Sequence, residues 1–283
     1  MPLDQIDIDN PSGDKEMGFL DHLEELRWHL IRSISAILIL TIVAFFSKDF
    51  IFGVLILGPS KPEFWTYRIF CQLSVYFNTP DLCIDHLNFT LQSRQMTGQF
   101  AMHITSSFVV GFILAFPYVF WELWRFVKPG LYVKEVNATR GAVFVVTFLF
   151  ALGILFGYFV ISPLSINFLA NYQLDPSILN QFDITSYIST LIMMVLASGL
   201  MFQLPMIVFV LTKMGLVTPQ FMRTYRKHSI VVILIVAAFI TPSPDIFSQL
   251  LVAIPIYLLY EVSIYVSAWE LRAKNLRNAE FLK

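Results

Sequence analysis

Charge divides this chain into segments. Six stretches hold no Asp, Glu, Lys or Arg: residues 33–47, 95–121, 141–174, 184–212, 228–244 and 246–260. Bilayer hydrocarbon is about 30 Å thick, and a helix needs roughly 20 apolar residues to cross it. Within lipid each backbone N–H and C=O must be satisfied by the chain itself, so a lone apolar stretch crosses as a helix. With their flanks, the first four stretches reach or nearly reach that length. The last two have 17 and 15 residues, share the turn Thr241-Pro242-Ser243-Pro244-Asp245 and read as a hairpin of short spans. Such spans are tolerated at a modest mismatch cost. Only 14% of residues are charged and 57% are hydrophobic, where a soluble domain carries about a quarter charged residues. The pattern predicts an all-α integral membrane protein of six transmembrane helices.

The basic residues orient it. With six spans, both ends and the second and fourth loops share one side, and all but four of the 19 Lys and Arg lie there. The exceptions, Lys48, Lys61, Arg68 and Arg94, sit in one long outer loop, 48–95. The positive-inside rule then places both termini in the cytoplasm. Residues 1–16 are polar and acidic, the wrong chemistry for the basic start of a signal peptide; they are expected to be a disordered cytoplasmic N-terminus. Residues 17–265 make the membrane domain and 266–283 a cytoplasmic tail. The net charge of −1 carries no bias toward nucleic acid.

The outer loop is unusually aromatic, and Pro59 and Pro62 interrupt any helix there. A loop this apolar is expected to pack as a small cap or to lie on the membrane surface. It also holds Cys71 and Cys83, 12 residues apart. If that side is oxidising they are a candidate disulfide; the alternative is two unpaired small apolar residues.

No catalytic residue, metal site or cofactor motif is apparent, since the chain lacks H-E-x-x-H, G-x-S-x-G and a Walker lysine loop. The polar features lie at the membrane edges. An opening helix, 18–32, runs straight into the first span and carries Asp21, Glu24 and Glu25. One reading is interfacial anchoring, with Trp28 as a belt residue; the other is recognition of a cationic partner. Trp121 to Tyr132 form an aromatic and basic inner loop. Gln203, near the middle of the fourth span, is read as an interhelical hydrogen bond or as a polar point on a cavity wall. Asp245 is a candidate cap for the last span, and Glu261 ends that span facing water.

Four motifs carry a resemblance. Phe19-Leu20-Asp21-His22-Leu23-Glu24-Glu25-Leu26-Arg27 enters the first span. Phe126-Val127-Lys128-Pro129-Gly130-Leu131-Tyr132, with Glu135, fills the first inner loop. Phe159-Val160-Ile161-Ser162-Pro163-Leu164 ends the third span. Thr241 to Gln249, through Ala253-Ile254-Pro255 to Leu259-Tyr260-Glu261, forms the last hairpin. In order and position these resemble the TatC family, the large subunit of the twin-arginine protein translocase. The resemblance implies a concave six-span bundle with both ends cytoplasmic, in a bacterial inner membrane. It implies binding of signal peptides with paired arginines and export of folded proteins on the proton-motive force. It implies single-span partners of the TatA and TatB kind and several copies per translocon.

Carried over, Glu25 and Glu135 would receive the two arginines, because a guanidinium matches a carboxylate bidentately. Arg27 would hold Glu25, and Trp124 and Phe126 would take the apolar residues that follow. Pro59, Gln203, Asp245, Gln249 and Glu261 are candidates for contact with partner helices or for the translocation path. Two positions depart from the family: Gln203 stands where many members have glutamate, and His29 where some have a second basic residue. The alternative function is a small-solute secondary transporter, which would need polar groups near the midplane.

Overall fold

The computed structural model describes residues 19–77, 83, 87, 89–127, 141–175, 177–241 and 246–281. Helix α1, Phe19–Phe46, leads into a one-turn helix α2, Lys48–Phe50, a π turn over Ile51–Ile56 and a 3-10 turn over Gly58–Ser60. Helix α3, Trp65–Phe77, and strand β1, Thr90–Gln92, complete the first connection. The bundle continues with α4 (Gly98–Val127), α5 (Ala142–Phe156), a π segment (Gly157–Ile161) and α6 (Ser162–Asn171). Strand β2 (Gln181–Asp183) then leads to α7 (Ile184–Met201), α8 (Leu204–Lys213), α9 (Pro219–Thr224), α10 (Arg226–Ile240) and α11 (Ile246–Phe281).

Among the described residues five segments are long and apolar enough to cross a membrane: Glu24–Phe46, Gly98–Phe126, Ala142–Asn171, Ile184–Lys213 and Gln249–Ala273. Helix α10 has 15 residues, about 22 Å at 1.5 Å per residue, which is short of the hydrocarbon thickness.

Helices outrun the uncharged stretches. The inner loop expected from Trp121 is helical through Val127. The third span, expected to end near Pro163, continues through that proline to Asn171. Pro163 lies in the first turn of α6, where a missing N–H costs little. Helix α11 passes Glu261 without a break and runs for 36 residues. The fold is not purely helical, because β1 and β2 pair in parallel, Thr90 against Gln181 through Gln92 against Asp183. Asp183 caps α7 by accepting from the Thr185 backbone N–H at 2.9 Å and its hydroxyl at 2.8 Å. These two bonds, with the backbone bond first, hold the Asp183 carboxyl below its ordinary pKa range.

The outer connection packs onto the bundle. The buried Tyr67 hydroxyl donates to the carbonyls of Pro59 at 2.9 Å and Pro163 at 3.2 Å. Tyr187 donates to the carbonyl of Ile56 at 2.9 Å and Tyr158 to that of Leu55 at 2.8 Å. The carbonyls of Leu55, Ile56 and Pro59 belong to the irregular backbone at the ends of the π and 3-10 turns, where helical partners run out, and that of Pro163 lies in the first turn of α6. A disulfide joins Cys71 on α3 to Cys83.

Inside the bundle, glycines let backbones meet. In lipid, close van der Waals packing replaces the hydrophobic drive between helices, so small residues gather at interfaces. On α5, a Cβ at Gly153 would lie 2.8 Å from the carbonyl oxygen of Ser198 on α7. On α4, a Cβ at Gly111 would lie 2.6 Å from the backbone nitrogen of Thr41 on α1. Helices α1 and α4 run antiparallel, with His103 near Phe45 at one end and His29 near Glu122 at the other.

We expect Gly111→Ala to lower the thermal midpoint of the protein in mild detergent, with a cost of about 1–3 kcal/mol from overpacking. An unchanged midpoint would show that α1 and α4 can separate freely at this point.

Candidate functional site

The first turns of α1 and the last turns of α4 meet at one end of the bundle. A carboxylate is buried there: Glu122 on α4 has only 1% of its surface exposed. A buried charge is tolerated when it is paired and hydrogen-bonded, and Glu122 is. Its Oε2 takes the Nδ1 of His29, which is itself buried on α1. Its Oε1 accepts from the Tyr118 hydroxyl at 3.0 Å, one helical turn back. The Arg32 guanidinium lies 3.9 Å from Oε2, with half of its side chain in the open.

His29 reaches in two directions. Its Nδ1 faces Glu122 and its Nε2 lies 4.0 Å from Glu25 Oε1. Glu25 is one turn earlier on α1, and its side chain is 37% exposed. The second oxygen, Oε2, has no hydrogen-bond partner among the described residues. The result is a line of groups, Glu122–His29–Glu25, that runs from a buried charge to a partly exposed carboxylate whose second oxygen is itself buried.

The structure separates some residues that the sequence grouped. Arg27 is exposed and makes no ion pair with Glu25; residues two apart on a helix do not share a face, and His29, four apart, takes that place. Phe126 lies edge-on to His29, with ring centroids 6.2 Å apart. Trp124 is turned away from it and stacks on Phe120 against the Ala142, Val146 and Met206 cluster. Arg125 lies over the Trp121 ring, 5.6 Å from its centroid. Glu135 and Asp245 fall outside the described residues.

The remaining candidates are held by internal bonds. Gln203 sits at the break between α7 and α8 and donates through Nε2 to the Val146 carbonyl at 3.2 Å, while its buried Oε1 has no partner among the described residues. Gln249 donates to the Leu234 carbonyl at 2.8 Å, tying α11 to α10. Glu261 does not simply face water: Arg226 of α10 pairs with it at 2.7 Å, and Tyr257 donates to it at 3.1 Å. Pro59 is buried and its carbonyl anchors Tyr67.

Sequence reasoning missed Glu122, Tyr118 and the role of His29. The available signal was spacing, since Tyr118, Glu122 and Phe126 recur every four residues, as do Glu25 and His29. That spacing puts each set on one face once the inner segment is recognised as helix.

Known proteins place this arrangement. Residues 21–255 match the family model described as Sec-independent protein translocase protein (TatC). The Sec-independent protein translocase protein TatC of Blattabacterium sp. subsp. Periplaneta americana is 42% identical over 262 residues, covering 92% of this chain and 98% of that protein. The corresponding protein of Halalkalibacterium halodurans is 34% identical, covering 90% of each. A crystal structure of the twin-arginine translocase receptor TatC superposes with a TM-score of 0.68 at 32% identity, covering 87% of this chain and 99% of that one. The match spans the helices that build the Glu25–His29–Glu122 line. The chain therefore belongs to the TatC family and is a protein-transport component, a subunit of the Sec-independent, twin-arginine translocase.

Proposed function

We propose that the joined ends of α1 and α4 receive the paired arginines of cargo signal peptides. Glu25 takes one guanidinium and Glu135 the other. The observation that carries this reading is the place of Glu25: its side chain is partly exposed, its Oε1 lies 4.0 Å from His29 Nε2, and its buried Oε2 has no hydrogen-bond partner among the described residues. A partly exposed carboxylate beside an imidazole suits the planar fork of an arginine better than the point charge of a lysine. Phe126, edge-on to His29, offers an apolar neighbour to the residues that follow the arginines.

The wider reading is that 17–265 form six spans, with α10 as the short fifth, in a bacterial inner membrane with both termini in the cytoplasm. The distribution of Lys and Arg supports this orientation. So does the Cys71–Cys83 bridge, which suits an oxidising outer side. Single-span subunits of the TatA and TatB kind, and further copies of this chain, complete the translocon. Folded cargo then crosses on the proton-motive force.

Three outcomes are expected. Site-specific photocrosslinking of a twin-arginine precursor should fall at least about tenfold in Glu25→Ala and in Glu135→Ala, because one charge-assisted contact is worth about 1.5–3 kcal/mol and 1.4 kcal/mol is tenfold. Undiminished crosslinking in both variants would remove the assignment. Glu122→Ala leaves the buried His29 without its partner, so its thermal midpoint in detergent should drop by more than that of Glu122→Gln, by about 1–3 kcal/mol; equal midpoints would count against a structural role for this charge. A cysteine at Ser177 should react with an impermeant maleimide in intact cells, and one at Gln220 only after permeabilisation. The reverse pattern would invert the topology.

A further inference from the structure

At the end of the α1–α4 pair farthest from Glu25, two cavities open on the same faces of α4 and α7. The outer one, about 330 Å³, has Lys48, Asp49, Gln99 and His103 on its walls. The deeper one, about 370 Å³, begins one turn further along α4 at Ser106 and is otherwise lined by apolar and aromatic side chains such as Val110, Ile113 and Leu191. Polarity along α4 is therefore graded. Gln99 and His103 come first, then Ser106, then Val109 to Leu114. From Gln99 to Leu114 the helix rises about 22 Å, more than half of a bilayer's hydrocarbon thickness of about 30 Å.

Two details define the occupant. Ser106 is buried and borders the deeper cavity, and its hydroxyl has no hydrogen-bond partner among the described residues. An orphan donor in an apolar slot is costly unless a ligand supplies an acceptor. At the mouth, Lys48 and Asp49 bring one charge of each sign. Two other polar groups nearby are engaged: His103 Nε2 is bonded to the Phe45 carbonyl at 3.0 Å with its ring stacked on Phe45, and Lys61 donates to the Gly53 carbonyl at 3.1 Å.

We propose that this graded slot holds one phospholipid of the leaflet opposite Glu25, with a zwitterionic head bearing a primary ammonium. Lys48 takes the phosphate and Asp49 the ammonium. Ser106 donates to an ester carbonyl at the glycerol level, and one acyl chain lies in the cavity along Val110 and Ile113. A transmembrane helix fits poorly, because a cylinder about 10–12 Å across would fill 370 Å³ in less than one turn. A head with net negative charge fits less well, because its surplus charge would meet Asp49.

The test uses the full chain purified from nanodiscs that contain equal parts phosphatidylethanolamine, phosphatidylglycerol and phosphatidylcholine, with retained lipid read by native mass spectrometry. One phosphatidylethanolamine per chain is expected to persist, in several-fold excess over the other two. Asp49→Asn should reduce that excess several-fold. Ile113→Trp, which fills the slot, should strip the lipid whatever its head group. Asp49 is exposed, so its variant keeps the test decisive if Ile113→Trp does not fold. No retained lipid, or retention indifferent to head group and unchanged in Asp49→Asn, overturns the proposal. So does crosslinking of a photoreactive group on Val110→Cys to a protein partner rather than to lipid.

Discussion

A buried carboxylate fixes how this protein's first two long helices meet. Glu122 stands at the packed end of α4, where an unpaired charge would be very costly. Its three partners come from two helices, Tyr118 from its own and His29 and Arg32 from α1. Sliding α1 by one turn, about 5.4 Å, would leave the carboxylate without its histidine. Gly111 sets the spacing and Glu122 sets the register, so Glu25 is placed by a bond it does not itself make. The surface carboxylate inherits its position from the buried one through His29.

The rest of the bundle follows from what lipid does not supply. Large apolar side chains such as Phe46 and Phe144 point outward, 81% and 75% exposed, because hydrocarbon solvates them as well as a core would. Specific association must then come from backbone approach and from polar bonds. Both are present in pairs. Gly153 brings α5 onto α7, and Gln203 bonds across to Val146 one layer away. Helix α10, too short to hold itself in place, is tied to α11 by Gln249 to Leu234 and by Arg226 to Glu261 at separate levels.

Charge in the sequence marked where lipid ends, and that is a different boundary from where a helix ends. The uncharged stretches located every long apolar helix. They misplaced the ends of α4, α6 and α11, because a helix that leaves the bilayer keeps its own hydrogen bonds and has no reason to stop at the first charged residue. The error had a cost at the site. With Trp121 to Tyr132 taken as a loop, Glu122 was one acid among basic and aromatic neighbours, and Trp124 and Phe126 looked like a pair. On a helix they face different ways, one toward Phe120 and the other toward His29. The Arg27 assignment failed for the same reason of periodicity. The family motifs pointed to Glu25, but nothing in a single sequence says that the histidine four residues later is buried against an acid 93 positions away.

Hydrogen-bond satisfaction separates the polar residues by use. Gln249, Glu261 and the carbonyl of Pro59 have their partners inside the protein, and each joins two elements. Such groups have little left to offer a ligand, and their removal is a matter of stability. Glu25 and Ser106 differ: the one is partly exposed and the other borders an apolar slot, and Glu25 Oε2 and Ser106 Oγ are buried with no hydrogen-bond partner among the described residues. A lone acceptor on an anion calls for a cationic donor, while a lone hydroxyl donor in hydrocarbon calls for a neutral acceptor. The two ends of the α1–α4 pair are thus proposed to take opposite chemistries, a guanidinium at one and an ester at the other. The helix pair that Glu122 registers holds both sites in a fixed relation.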